Sequence, residues 1–315
     1  MAGRKFGLYF AWNRPREINA SLDVLDNRFP TLFEFRRLLW PHFEQLRQSS
    51  PQSVQGFLDF VVLPDFERFT QRIKEATGND VVVLQRGVDG AANEIDSDVI
   101  KDIDTLIVIS LDHQRTAQAT SPAELEAIQS FLSRENSCLI VCPHHDIGVQ
   151  EQLIAQEVEY RHHGDITIPP QQRFSGFARS ILGGLGFAIE NQFGLNPASA
   201  GDGSPAPLAR ASDLDDLQLL QGVTTFNLHP HLPHLYVPKG LSNKVDILAR
   251  QPINLKAPSH PFVEAGNTFF NALLRFRSEK IAGTMLACDA TLWSSAFGGL
   301  GSLEKFWANL AGMRL

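Results

Sequence analysis

Cysteine, methionine and tyrosine are scarce in this chain, with three of each in 315 residues. Three cysteines do not make a disulfide framework. Cys138 and Cys142 stand four apart on one expected strand, which sets their Cα atoms about 13 Å apart, past the roughly 7 Å limit for a bridge. Reduced thiols fit a cytoplasmic protein. Long apolar runs are missing as well. None approaches the roughly 20 residues that span a bilayer, so no membrane partner is expected. The opening Met1-Ala2-Gly3-Arg4-Lys5-Phe6-Gly7-Leu8-Tyr9-Phe10-Ala11-Trp12 turns polar at Asn13-Arg14, too soon for a secretory signal, and has no small-residue cleavage site. It reads instead as a first strand. There is no block of basic residues either. Twenty-eight Lys and Arg stand against 35 Asp and Glu, a net charge of −7. Nucleic acid is therefore not an expected partner. No internal repeat is found.

What is present is an ordinary globular composition, 43% hydrophobic and 20% charged, over a length that suits one large or two fused domains. Phe29 to Leu46 carries Leu32, Phe35, Leu39 and Phe43 at helical spacing, with Pro41 as a kink. Phe57 to Leu63 reads as a further strand. Asp65 caps a helix to about Thr77, closed by Gly78-Asn79. Asp80 to Leu84 is a strand. The clearest unit follows. Thr105 to Ile109 is a strand of the buried type. Ser121-Pro122-Ala123-Glu124 is a capping box with proline at the first helical position, opening a helix with Leu125, Ile128, Phe131 and Leu132 on one face. Ser137 to Cys142 is the next strand, and Pro143 suits the first turn of a helix. This is β-α-β, so its strands should be parallel.

Downstream, Pro169-Pro170 precedes a helix to about Leu185, and residues 196–216 form a loop rich in Ala, Gly, Ser, Pro and Asp. Val223 to Leu228, Lys244 to Ala249 and Ile281 to Cys288 read as strands, and Asn267 to Arg275 as a helix. Ser302 caps a final helix with Leu303, Phe306, Trp307 and Leu310 on its core face. The whole is an α/β fold with a mainly parallel sheet flanked by helices and a His-rich inserted region. Residues 1–150 and 266–315 would make the α/β core. Residues 151–265 would pack over the carboxyl ends of the strands, or the chain is one single domain.

In such sheets a site lies beyond the carboxyl ends of the strands. Those ends carry Asn13-Arg14, Ser110-Leu111-Asp112-His113, Cys142-Pro143-His144-His145-Asp146 and Asp289-Ala290-Thr291. Cys142 at a strand-to-helix turn could be a nucleophile with His144, His145 or His260 as base, or a small buried hydrophobe. The histidines fall in groups: His144-His145-Asp146, His162-His163 with Asp165, and His229, His231 and His234. On an extended backbone His229 and His231 point the same way, as an H-x-H metal pair does. Asp112, Asp146, Asp165 and Asp289 could complete a shell for Zn, Mn or Fe. Alternatively these histidines cap helices or bond in loops. Gly183-Gly184-Leu185-Gly186 and Gly298-Gly299-Leu300-Gly301 lack the strand context and Lys-Ser/Thr of phosphate loops, so no nucleotide cofactor is expected.

The unit from Asp104 to Gly148, with its strand, Ser-Pro-Ala-Glu-Leu-Glu helix start, second strand and turn, resembles class I glutamine amidotransferase-like proteins. So does the ending Cys288-Asp289-Ala290-Thr291-Leu292-Trp293. The family's G-x-C-x-G elbow aligns its cysteine with Cys142, where Ile140 and His144 replace the glycines. Its H-x-E falls nearest His260 and Glu264. The resemblance implies a flavodoxin-like scaffold.

The leading expectation is a cytoplasmic hydrolase of a small polar molecule, at an amide-type C–N bond. Metal-activated water would be held by His144, His145, Asp146, His229, His231 and His234, with Asp289, and His113 or His145 would move protons. A second is a Cys142-dependent amidohydrolase or amidotransferase-like enzyme without metal. A third is a non-catalytic ligand-binding or assembly domain. The partner expected is a small molecule, and homo-oligomer formation stays open.

Overall fold

The computed structural model describes residues 3–11, 63–86, 93–110, 118–144, 176–229 and 232–313. The expected 29–46 helix and nearly all of the 57–63 strand lie outside these ranges. In chain order the elements are β1 (Phe6–Ala11), α1 (Leu63–Thr77), β2 (Val82–Gln85), α2 (Ser97–Ile100), β3 (Thr105–Ser110), α3 (Pro122–Leu132), β4 (Cys138–Pro143) and α4 (Gly176–Gly184). Then come β5 (Glu190–Leu195), β6 (Ala209–Arg210), β7 (Leu232–Tyr236), β8 (Val245–Pro252), α5 (Pro261–Glu264), β9 (Phe269–Phe276), β10 (Thr284–Cys288) and α6 (Leu300–Gly312).

Eight of the strands form one sheet in the order β2-β1-β3-β4-β10-β9-β8-β6. β2, β1, β3, β4 and β10 run parallel, and β9, β8 and β6 continue the sheet by antiparallel pairing. The fold is thus α/β with a large, mostly parallel sheet. β5 and β7 pair antiparallel in a separate two-stranded sheet.

Of the parallel strands, β1, β3, β4 and β10 are buried from end to end because helices cover both faces, while β2 is a partly exposed edge. Side-chain alternation sends Phe6, Leu8, Ile107, Ile140, Cys142, Leu286 and Cys288 to one face. There they meet Phe66, Phe69 and Ile73 of α1 and Phe306, Trp307 and Leu310 of α6. Tyr9, Leu106, Val108, Leu139, Val141 and Met285 take the other face, against Ile128 and Phe131 of α3 and Phe177 and Ile181 of α4.

The β3-α3-β4 unit follows the sequence pattern. Thr105 pairs with Cys138 and Ser110 with Pro143, in parallel. The capping box forms in both directions: the Glu124 N–H donates to Ser121 Oγ at 3.2 Å, and the Ser121 N–H donates to Glu124 Oε2 at 2.9 Å. Helix α1 closes at Gly78, whose φ of +75° suits the left-handed cap.

Four expectations are corrected. Pro143 ends the strand as expected, but as the last residue of β4 and not in the first turn of a helix. Its missing N–H is tolerated because the ladder with β10 has already stopped at Ala287–Val141. The segment expected to be helix over 267–275 is strand β9. Its leucines and alanine favour a helix locally, but pairing with both β8 and β10 overrides that preference. Residues 223–228 are irregular, making isolated bonds such as Leu208 N–H to the Thr224 carbonyl at 2.9 Å rather than a ladder. Ser302 does not cap α6. Gly299 does, at φ +81°, where a Cβ would press to 3.0 Å on the Phe226 carbonyl oxygen. The Ser302 hydroxyl instead accepts the N–H groups of Thr224 and Thr225 at 3.1 and 3.2 Å.

Candidate functional site

All five parallel strands end at one edge of the sheet. Because β9 is reversed, its start at Phe269-Phe270-Asn271 lies at that same edge, and so does the end of β8 at Gln251-Pro252. The edge therefore collects Ser110, His144, Asp289, Asn271 and Gln251 from five strands that are consecutive in the sheet, β3-β4-β10-β9-β8.

Asp289 follows β10 directly. Its Oδ1 accepts the Thr291 N–H at 2.9 Å and the Thr291 hydroxyl at 2.5 Å, which caps a short 3-10 turn, Ala290–Trp293. Beside that turn lies Asn227. Its Nδ2 donates to the carbonyls of Thr291 at 2.6 Å and Ser294 at 2.9 Å, and its Oδ1 accepts the His229 N–H at 2.9 Å. Gln251 Nε2 donates to the Asn227 carbonyl at 2.6 Å. Asn271 Nδ2 donates to the Leu235 carbonyl at 2.9 Å. These amides and Asp289 are buried. Asn227, Gln251 and Asp289, together with Leu232, Phe270 and Leu292, line a narrow cleft of about 10 Å³, room for about one water molecule. The amide N–H groups of Asn227 and Gln251 are taken up by backbone carbonyls, and the surface open to the cleft is apolar.

The residues expected from the sequence take diverse positions. Cys142 is fully buried, one residue before the end of β4. The Trp293 indole N–H donates to its Sγ at 3.1 Å, and the Cys288 Sγ lies 3.6 Å away. Burial pushes the Cys142 thiol well above its ordinary pKa, with the neighbouring Cys288 adding to the rise. A thiol held protonated in the core is poorly placed for attack at neutral pH. His144 stands half-buried at the end of β4, and its carbonyl accepts Asn191 Nδ2 at 3.5 Å. The ring of His229 packs edge-on to Phe297, with centroids 4.9 Å apart.

His234, on β7, accepts the Asn271 N–H on Nδ1 at 3.2 Å, and its ring lies 4.8 Å from that of Phe262. Burial, aided by the Arg250 charge, lowers its pKa to about 4, so the imidazole is neutral at pH 7. His260 caps α5 by accepting the Phe262 N–H at 3.0 Å. His113, His145, Asp146 and His231, with His162, His163, Asp112 and Asp165, lie outside the described residues. Among the described residues no group of three or more His, Cys, Asp or Glu side chains is arranged to hold a metal ion.

The site residues that the sequence reading passes over are the amides. Asn271 is a lone polar residue in Phe-Phe-Asn-Ala-Leu-Leu, and Gln251 follows Ile-Leu-Ala-Arg. An amide inside a buried strand must find partners, and that was the available signal.

No family model matches the chain, and no curated protein does. Among solved structures, a cytoplasmic protein from Salmonella typhimurium (STM3548) is similar at 13% identity and a TM-score of 0.38, covering 78% of this chain and 85% of that one. Among the described residues no helix is long and apolar enough to cross a membrane.

Proposed function

We propose that this chain is a ligand-binding α/β domain on an amidotransferase-like scaffold, taking a small polar molecule at the carboxyl edge of its sheet and using no cysteine nucleophile. One observation carries the reading. The position that would bear the nucleophile, Cys142, points into the core against Trp293, while the polar side chains Asn227, Gln251 and Asp289 gather at the carboxyl edge of the sheet. Binding in the crevice beyond the strand ends is the general habit of open α/β sheets. Ligands with a carboxamide or hydroxyl group suit a carboxylate flanked by amides.

The test is a thermal-shift and calorimetric screen of small amides, amino acids and polyols on the full chain. One class is expected to raise the melting temperature, with the gain lost in Asp289→Asn and kept in Cys142→Ser. Amide turnover that disappears in Cys142→Ser would replace this reading with the cysteine enzyme.

A second reading, the metal-assisted hydrolase, draws on the placement of His144 and Asp289 at the ends of the neighbouring parallel strands β4 and β10. Imidazole and carboxylate together suit Zn, Mn or Fe. Stoichiometric metal in the purified chain, lost on His144→Ala, would favour it over simple binding.

A further inference from the structure

The two thiols that the proposed function leaves unused are themselves placed for chemistry. β4 and β10 are neighbours in the middle of the sheet, paired in parallel from Thr284–Cys138 to Ala287–Val141. One step further, Cys288 stands opposite Cys142. Both side chains project to the same face, and their sulfurs are 3.6 Å apart. Adjacent strands lie about 4.8 Å apart, which falls inside the range of roughly 4.4–6.8 Å between Cα atoms that a disulfide spans. The third cysteine, Cys138, is on the same strand and face as Cys142 but pairs with Thr284 and has no thiol across from it.

We propose that Cys142 and Cys288 are a modification site, a reversible cross-strand disulfide formed when the chain meets a peroxide. The sulfur of one residue, as thiolate, attacks a peroxide oxygen. The O–O bond breaks, the leaving hydroxide takes a proton to become water, and a sulfenic acid remains. The second sulfur attacks that sulfenic sulfur, the S–O bond breaks, and a second water leaves with the remaining proton. Two thiols are oxidised by two electrons, and one hydrogen peroxide is reduced to two waters.

The surroundings shape both the rate and the effect. Burial disfavours the thiolate and slows the first step, since the thiolate is the nucleophile. The product carries no charge, so the apolar core does not oppose it. The sulfurs must draw closer to bond. Cys142 is the acceptor of the Trp293 indole, and Cys288 is the residue before Asp289, so oxidation acts on the Ala290–Trp293 turn that lines the cleft. The inference stands apart from the ligand-binding reading, because the bond forms or fails whatever the cleft takes.

The experiment treats the full chain with hydrogen peroxide, quenches it, unfolds it in guanidinium with N-ethylmaleimide, and maps the peptides. The expected result is that Cys138 is labelled while Cys142 and Cys288 are both lost from labelling. They should be recovered as one linked peptide pair lighter by two hydrogens, and a reductant should restore both thiols. Tryptophan emission should change on oxidation in the wild type and stay unchanged in Cys142→Ser. The proposal is overturned if Cys142 and Cys288 stay alkylatable under conditions that fully oxidise free glutathione in the same tube. A link made to Cys138, or oxidation to sulfinic acids with no linked pair, overturns it equally. Should Cys142→Ser fail to fold, the wild-type peptide map decides alone.

Discussion

Asp65 and Ser295, 230 positions apart, are joined by two hydrogen bonds, from the Ser295 N–H to Oδ2 at 2.5 Å and from its hydroxyl to Oδ1 at 3.0 Å. The carboxylate is buried and also meets Arg68 at 2.5 Å. It ties the first turn of α1 to the loop beyond the cleft. Hydrogen bonds to a charged group are worth about 1.5–3 kcal/mol net, so Asp65→Ala should lower stability by about that much. Urea denaturation of the two proteins measures it. A loss no larger than that of an exposed control such as Asp98→Ala would show that the tie is dispensable.

Glu124 holds a second buried junction. Besides its part in the capping box it accepts the Ile95 N–H at 3.0 Å and pairs with Arg86, whose guanidinium lies over the Phe177 ring at 4.4 Å. Removing one member of a buried pair strands the other charge, at a cost of about 3–5 kcal/mol. Glu124→Ala should lose stability on that scale. Glu124→Gln keeps the shape and some acceptors and should lose less. Equal losses in the two variants would show that the charge is irrelevant.

His234 predicts how stability depends on pH. Its folded-state pKa is lowered from 6.5 to about 4, so between those values the unfolded chain binds more protons than the folded one. Stability is then fully present above about pH 6.5 and falls as the pH drops toward 4, by up to about 3 kcal/mol at 1.36 kcal/mol per pKa unit. Protonating Nδ1 would also break its bond from the Asn271 N–H. Denaturation midpoints at pH 7 and pH 4.5 should differ more for the wild type than for His234→Asn. Parallel pH profiles in the two proteins would remove His234 as the cause.

Gly283 admits no side chain. A Cβ there would come within 2.6 Å of the Ser137 carbonyl oxygen and 2.8 Å of that of Arg134, both backbone atoms that cannot swing away. Gly283→Ala should cost about 1–3 kcal/mol by overpacking at the entrance to β10. Gly201→Ala, with nothing within 4 Å, should be close to neutral, and thermal melts of the pair read the contrast.

The parts of the fold that the sequence disclosed are those whose local and tertiary demands agree. Thr105 to Ile109, the Ser121–Glu124 box and Cys138 to Cys142 each carry a complete signal within a few residues, and they fold as that signal says. β9 was hidden because its Leu, Ala and Arg residues suit a helix, and only its neighbours make it a strand. The edge of the sheet as the place to look followed from strand order alone. Cys142 stood out as reactive because the sequence cannot tell that Pro143 extends the strand and seals the thiol inside. Asn227, Gln251 and Asn271 were passed over because an amide has no titratable chemistry to advertise, and its role depends on which carbonyls the fold brings within reach.

The pairing of β4 with β10 has a consequence for how the chain reaches this state. The Cys142 and Cys288 sulfurs, in contact at the centre of the sheet, are 146 positions apart in sequence. On a ribosome the strands up to β4 emerge first, and the open side of β4 must then wait while the intervening segment is made. Contacts of such long sequence separation slow folding, because loop closure precedes any reward from pairing. An unpaired edge rich in Leu, Ile and Val is also a template for association with another chain. The expected vulnerability of this protein is therefore kinetic and early, with aggregation most pronounced when synthesis stops between β4 and β10.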